Sequence, residues 1–569
     1  MELKRIYTDT QTISINSFKG LNRRKITGLG EFSDMENLGH REYPCICSEK
    51  THRQLDFTLP EGVKAVRLMF PKHKNQEPTG FSGVVYNSNT GFYELYVDGD
   101  VVSSNITSFK DIIDYNGTFI VFPQMVGKNT ISNEDVRPPH IGGSLHEITF
   151  ASKPRGNLVR DGYECFIHIQ GITYRQYLKI QEDFPAGTQI MLTGFEGYYE
   201  GNNTYFPTSS GDHSRPNSIS TMVVSSINCN AVDPYLGQLS IGLSCRNSKG
   251  EEIQWPVLTN SNSPKYASGN ILKYVPPMEC GCVAHNRVWG CGETGEYIYC
   301  SALGEPLEFM EIMDLSSDSW HAKVGTPGKF TGISPWQNRV VVFKSHSIHI
   351  VYGDLPANFS IERSYGVGCV DRSSIMQVNN MLIWMYDDGF YTYSGGKPVR
   401  ISDKLNTPYK FCTAFTDGRR YFGICTKEDG TKELISYDTE LGLWDKISNP
   451  DLLSGDYYKG VLYGCSQDNV FVLGDGEYGD FYGETGDMML DSFRDKAFLY
   501  LNVRCIIDSG FLNIYTRVNN GQWIPHKGIS TSGKHRIPIR YKSGDILKLR
   551  MEGHGEICIF PIDIEANIK

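Results

Sequence analysis

The chain has 569 residues and a net charge of −10, with 40% hydrophobic and 12% aromatic residues, including 33 Tyr and 28 Phe. That composition excludes a disordered polymer, and its Tyr and Phe excess favours sheets over helices. Its acidic balance argues against gripping nucleic acid through an open surface, because the Arg23-Arg24-Lys25 triplet is short and flanked by Glu31, Asp34 and Glu36.

In chain order, residues 1–60 read as an N-terminal arm whose clearest strand signal is Thr12-Ile13-Ser14-Ile15. Its opening residues lack the apolar run of a signal peptide, and no later run reaches membrane-span length, so a soluble chain made in a cytoplasm is expected. Residues 61–152 start with apolar runs at Val63–Phe70, Gly83–Tyr86 and Phe92–Val97, then reach the turn phrase Tyr115-Asn116-Gly117-Thr118-Phe119. Similar phrases return at His285-Asn286-Arg287-Val288-Trp289, Gln337-Asn338-Arg339-Val340, Asn379-Asn380-Met381-Leu382, Gly418-Arg419-Arg420-Tyr421 and Lys459-Gly460-Val461-Leu462. Each reads as a tight turn feeding a buried strand, since Asn and Gly tolerate the positive φ of hairpin turns. A β unit recurring every ~40–50 residues predicts propeller blades. The expected fold is therefore all-β, a six- or seven-bladed β-propeller.

Between Asn116 and Asn286 the rhythm stops. The surplus, 153–275, predicts an inserted β domain; its polar stretch near 198–219 holds Tyr198, Tyr199, Tyr205 and Phe206, a candidate surface-recognition loop that would offer sugars a stacking platform or equally pack on a neighbouring subunit. Blades resume over 276–484. Over 485–569 apolar and polar residues alternate at period two, as in Leu499–Val503 and Ile546–Arg550, which predicts a C-terminal antiparallel β-sandwich.

Three clusters of residues could carry chemistry. Cys280-Gly281-Cys282 with Cys291 and Cys300 lacks the paired short spacing of structural zinc, and the same pattern arises from alternating Cys in adjacent strands. Asp387-Asp388-Gly389 offers carboxylates to a glycosidase, yet it also fits a plain hairpin turn. The acidic loops at 97–100 and 475–480 lack the twelve-residue EF-hand pattern and read as exposed turns. The 15 Cys, mostly single within apolar strands, read as core thiols in a reducing compartment. No catalytic, cofactor-binding or metal residue is predicted.

Two stretches carry a family resemblance. The arm reads Phe18-Lys19-Gly20-Leu21-Asn22, then Gly30-Glu31-Phe32-Ser33-Asp34-Met35-Glu36-Asn37-Leu38, then Tyr43-Pro44. A later stretch reads Asn286-Arg287-Val288-Trp289, then Tyr299-Cys300-Ser301-Ala302-Leu303-Gly304-Glu305-Pro306. Both resemble the β-propeller virion proteins of tailed bacteriophages and prophages, with Glu305 where that family commonly has Asp. The resemblance covers the arm and later blades and leaves 153–275 unmatched. It implies a non-enzymatic tail or neck protein, similar to nozzle or hub proteins, whose copies form a homo-oligomeric ring around the DNA channel. Implied partners are copies of itself, other tail or neck virion proteins and DNA passing without sequence-specific contacts; the implied location is the virion, assembled in the host cytoplasm. Phe18, Phe32, Met35 and Leu38 are then candidate anchors of a subunit-interface arm, or of an arm that closes its own propeller. The alternative is a host-surface or glycan-binding tail protein.

Overall fold

The computed structural model describes residues 10–568 except 26, 58, 75, 143–147, 155–162, 194–218, 231–234, 248–251, 254–264, 268–269, 293–295, 311–314, 365, 490–493 and 540–542. The chain is all-β; among the described residues the α-helix Tyr174–Asp183 is the only one of its kind.

Seven antiparallel sheets have four strands each. Six are runs of consecutive strands, spanning 63–106, 111–136, 280–323, 330–364, 376–400 and 409–447. The seventh takes three strands from 454–472 and its fourth, Arg53–Leu55, from the arm. Five of the turn phrases are two-residue hairpins joining the first two strands of a sheet: Tyr115 pairs Thr118, Ala284 pairs Arg287, Trp336 pairs Arg339, Val378 pairs Met381 and Tyr458 pairs Val461. Asn116-Gly117, His285-Asn286 and Lys459-Gly460 have positive φ at both central residues, the type I′ geometry that matches strand twist.

The second strands are buried over most of their length, and wholly so in Thr118–Phe122 and Arg287–Cys291, because neighbouring sheets cover both faces. The contacts between sheets run in a closed order. Val84 and Leu95 of the first sheet pack with Ile112 and Phe119 of the second, and Ile120 with Val288 of the third. Trp289 shares a core with Val340, Trp336 with Trp384, and Met385 with Tyr421. Phe415 and Phe422 pack with Leu452, and the seventh sheet returns to the first where Phe70 lies 5.5 Å from Tyr458 and 4.9 Å from Tyr463 between ring centroids. Glycine permits the closest approaches: a Cβ at Gly455 would meet the Phe415 ring at 2.7 Å, and one at Gly281 would run into the Phe122 ring.

Sheet pairing moves two of the expected boundaries. The second sheet ends at Asp135–Val136, and Ile148–Pro154 pairs instead with Tyr163–Ile172. The inserted domain is thus a nine-stranded antiparallel sheet running from His140–Gly142 to Asn270–Lys273. Its core includes Ile169, Leu239, Ile241 and Ile271, against which Tyr177 and Ile180 of the helix pack.

The C-terminal strands fall in two sheets, and both take strands from before 485. One sheet takes Thr10–Ile15, Leu38–Gly39 and Ile46–Ser48 from the arm alongside Lys496–Ile507, Gly533–Pro538, Ile557–Ile559 and Ile562–Ile568. The other sets arm strand Phe32–Glu36 beside Asp480–Thr485, followed by Leu547–His554, Phe511–Val518 and Ile524–Pro525. Here burial alternates, as along Leu547–His554, because one face of each sheet meets the core.

Candidate functional site

The arm crosses the sixth sheet, and polar groups concentrate there. The amide of Leu21 donates to Trp444 O at 2.7 Å and that of Asn37 to Lys446 O at 3.1 Å. These backbone bonds carry Arg23 onto Glu433, where Nη1 meets Oε1 at 2.8 Å and Nη2 meets Oε2 at 3.2 Å. Nη1 also donates to Thr407 Oγ1 at 3.0 Å and the Tyr409 hydroxyl at 3.2 Å; Lys427 Nζ reaches Glu433 Oε2 at 2.9 Å, and the Tyr409 hydroxyl donates to Glu433. The pair is buried, the Arg23 and Glu433 side chains being 16% and 5% exposed. Burial alone would raise the Glu433 pKa, but hydrogen bonds and charge from Arg23, with Tyr409 and Lys427, bring it down to about 2.

Other polar groups extend this junction. Glu31 accepts from Asn22 Nδ2 at 2.6 Å and pairs with Lys404 at 2.9 Å, while Glu36 pairs with Lys446 at 2.8 Å. The acids flanking the basic triplet thus meet lysines of their own chain. His40 Nδ1 lies 3.0 Å from Asp445 Oδ1, both residues being buried. Burial would lower the His40 pKa, yet the Asp445 charge and hydrogen bond raise it above the ordinary value.

A second cluster lies where first strands converge. Asp111 opens the first strand of the second sheet, Arg67 sits in that of the first and Asp456 in that of the seventh; Arg372 stands in the turn before the fifth. Arg372 Nε lies 3.3 Å from Asp111 Oδ2, which also accepts the Gly281 amide at 3.3 Å. Asp456 accepts the Phe70 amide at 2.8 Å and Lys72 Nζ at 2.6 Å. Desolvation and the Arg372 charge lower the Arg67 pKa against the pull of Asp111 and Asp456; in Arg372 desolvation is the largest cause, but the charges of Asp111, Asp371 and the neighbouring groups together outweigh it and the pKa rises. The groups here balance one another's charge in a confined space.

Surface concavities adjoin the seven sheets. A cleft of about 630 Å³ between the sixth and seventh sheets is lined by Tyr457, Tyr463, Phe57, Arg53, Asp475 and Arg419, among others. A smaller one of about 220 Å³ lies over Asp387-Asp388-Gly389, beside Arg400 and Tyr409. The acidic phrase is a two-residue turn, since Tyr386 pairs Gly389, and Asp388 Oδ2 accepts the Tyr391 hydroxyl at 3.0 Å. The turn reading of this phrase therefore holds.

Phe18, Phe32, Met35 and Leu38 are at most 1% exposed and share one core with Trp444, Leu501, Leu549 and Ile564. Within this chain their apolar surface is covered, because Phe32–Glu36 pairs with Asp480–Thr485 and the arm goes on to complete the seventh sheet, the course expected of an arm that closes on its own chain. The candidate recognition loop, Tyr198, Tyr199, Tyr205 and Phe206, lies outside the described residues.

Cys280 and Cys291 face each other across paired strands with sulfurs 3.4 Å apart, and burial pushes the Cys291 thiol pKa well up. Among the described residues, no three His, Cys, Asp or Glu side chains are placed to hold a metal ion. Sequence reasoning missed Arg67, Asp111, Arg372 and Glu433. The available signal was a charged residue within an apolar strand run, as in Val63-Lys64-Ala65-Val66-Arg67-Leu68.

No family model and no curated protein matches the chain. Among solved structures, it is similar to the WD40 domain of SCAP from fission yeast (9% identity, TM-score 0.30, covering 76% of this chain and 98% of that one). It is also similar to an exo-β-1,3-galactanase from Phanerochaete chrysosporium (9% identity, TM-score 0.21, 50% and 95% covered). A third is a mutant Trypanosoma rangeli sialidase displaying trans-sialidase activity (10% identity, TM-score 0.21, 89% and 96% covered).

Proposed function

We propose that the seven sheets form a seven-bladed β-propeller and that the protein is a non-enzymatic structural component of a bacteriophage virion. In this reading it is a tail or neck subunit of nozzle or hub type, assembled in the host cytoplasm with copies of itself into a ring around the DNA channel. Other tail or neck proteins adjoin the ring. The net charge of −10 suits a wall along which DNA slides without being held.

The observation that carries this reading is the path of the arm. The residues that resemble virion proteins, 30–38, supply strands to both C-terminal sheets, and the same arm completes the seventh sheet. Both ends of the described chain are tied into one body, which resists unfolding from its termini. That property suits a subunit that must persist outside a cell.

Electron microscopy and mass photometry of the purified full chain test the ring. Closed rings with a central pore at micromolar concentration are expected; monomers at every concentration tried would remove the assembly role. One observation favours the second reading, a host-surface or glycan-binding tail protein: the cleft between the sixth and seventh sheets combines Tyr457 and Tyr463 with Arg and Asp side chains. Glycan-array binding by monomers, abolished by Tyr457→Ala, would select that reading over the ring.

A further inference from the structure

Three pairs of cysteines stand directly opposite one another in paired strands: Cys47 with Cys558, Cys280 with Cys291, and Cys412 with Cys425. Their sulfurs are 2.9, 3.4 and 3.6 Å apart. Facing residues in antiparallel strands have Cα separations of ~4.5–5.5 Å, inside the range a disulfide spans. Access separates the pairs. Cys280, Cys291, Cys412 and Cys425 are all buried in the seven-sheet body, whereas Cys558 is only partly buried, in a strand paired on one side with Ile46–Ser48 and on the other with Lys496–Ile507. Cys558 is therefore the sulfur that a small solute meets first.

The surroundings of Cys47 favour its thiolate. The hydrogen bond with Cys558 and the nearby charge of Arg41 lower its pKa against burial. Burial instead raises the thiol pKa of Cys282, Cys291, Cys369 and Cys425. The thiolate is the attacking species in disulfide exchange. Cys45 also lies against Cys558 and competes for the same sulfur.

We propose that Cys47 and Cys558 are a reversible redox modification site, which a low-molecular-weight disulfide converts to a cross-strand disulfide tying the N-terminal arm to the C-terminal strand. The hydrogen bond with Cys47 and burial raise the Cys558 pKa, so Cys558 attacks the small disulfide as its proton passes to Cys47, forming a mixed disulfide and releasing one small thiolate, which takes that proton on. The Cys47 thiolate then attacks Cys558 Sγ, closes the protein disulfide and expels the second small thiolate. The protein loses two electrons and two protons; the small disulfide gains both and becomes two thiols. The bond closes a loop across 511 positions, nearly the whole chain. Such a loop restricts the unfolded ensemble and opposes release of the arm. The inference stands on these strands alone and does not depend on the virion reading.

The reduced full chain is incubated under native conditions with excess oxidised glutathione, then alkylated and denatured. The free-thiol count is expected to fall from the 15 of the sequence by two, not by four or six. A non-reducing tryptic digest is expected to yield peptide 42–50 linked to peptide 551–569. Because the first peptide holds both Cys45 and Cys47, Cys45→Ser is expected to keep the link and Cys47→Ser to abolish it. The thermal midpoint of the oxidised chain is expected to rise and return with dithiothreitol. An unchanged thiol count, a link that survives Cys47→Ser, or a link between two chains would overturn the proposal. Cys558→Ser gives a second test on the opposite strand, and circular dichroism of each variant in reducing buffer confirms that it folds.

Discussion

Arg23 and Glu433 are 410 positions apart in the chain, yet two guanidinium nitrogens of one meet the two carboxylate oxygens of the other at 2.8 and 3.2 Å. The contact ties the arm to the sixth sheet in a place where water scarcely competes. Removing one member strands the other in a buried site. Arg23→Met is expected to cost about 3–5 kcal/mol of unfolding free energy. Arg23→Lys recovers only part, because an ammonium cannot reproduce the bidentate geometry. Urea denaturation followed by fluorescence checks both; equal stability of wild type and Arg23→Met would show that the pair contributes nothing.

The same junction predicts opposite responses to acid and base. Glu433 titrates at about 2 in the folded chain, below its ordinary value near 4.5, so its contribution is full above the unfolded value and fades as pH falls toward 2. That contribution is about 3 kcal/mol by linkage. His40 is raised by Asp445, so its contribution is full below the ordinary value and fades as pH rises through the folded one. Stability measured against pH in Glu433→Gln is expected to lose the acid limb alone, and in Asp445→Asn the alkaline limb alone. A Glu433→Gln profile parallel to the wild type below pH 4 would contradict the assignment.

Phe32 decides whether the arm serves its own chain or a neighbour. Its ring is fully buried and stacked on Phe18 at a centroid distance of 5.7 Å. Phe32→Ala is expected to destabilise the isolated chain by about 3–5 kcal/mol at any protein concentration. A variant whose monomer melts like the wild type but fails to assemble would return the arm to an interface role.

Asp111 sits between cations. Asp111→Asn is expected to destabilise by about 2–4 kcal/mol, tempered by the partial water access of Arg372. Adding Arg372→Met is expected to restore part of the loss, since the uncompensated guanidinium is then gone. Additive losses in this double-mutant cycle would mean that the two groups are not coupled.

Much of the fold was legible along the chain, because its rules are local. A two-residue loop of Asn and Gly allows the positive φ that a type I′ hairpin demands, so Asn116-Gly117 and Lys459-Gly460 mark hairpins wherever the rest of the chain lies. Alternation in 547–554 marks a strand with one covered face, and the apolar run at 340–343 marks one covered on both. The arm was not legible in this way. Asp34, Glu36 and Arg23 look like a solvated segment, and no local rule announces partners more than 400 positions away. Likewise, Ile148–Pro154 fits a blade or an insert equally well until its pairing with Tyr163–Ile172 is seen.

Local sequence thus determined the repeating hairpins, the all-β class and the change of character near the C-terminus, since turn geometry and side-chain alternation act over a few residues. Only the tertiary structure decided that the arm completes the seventh sheet, that Arg23 meets Glu433 and that Cys47 meets Cys558. Strand pairing at such range depends on which edges remain open once everything else has packed, and that is a property of the assembled chain rather than of any segment.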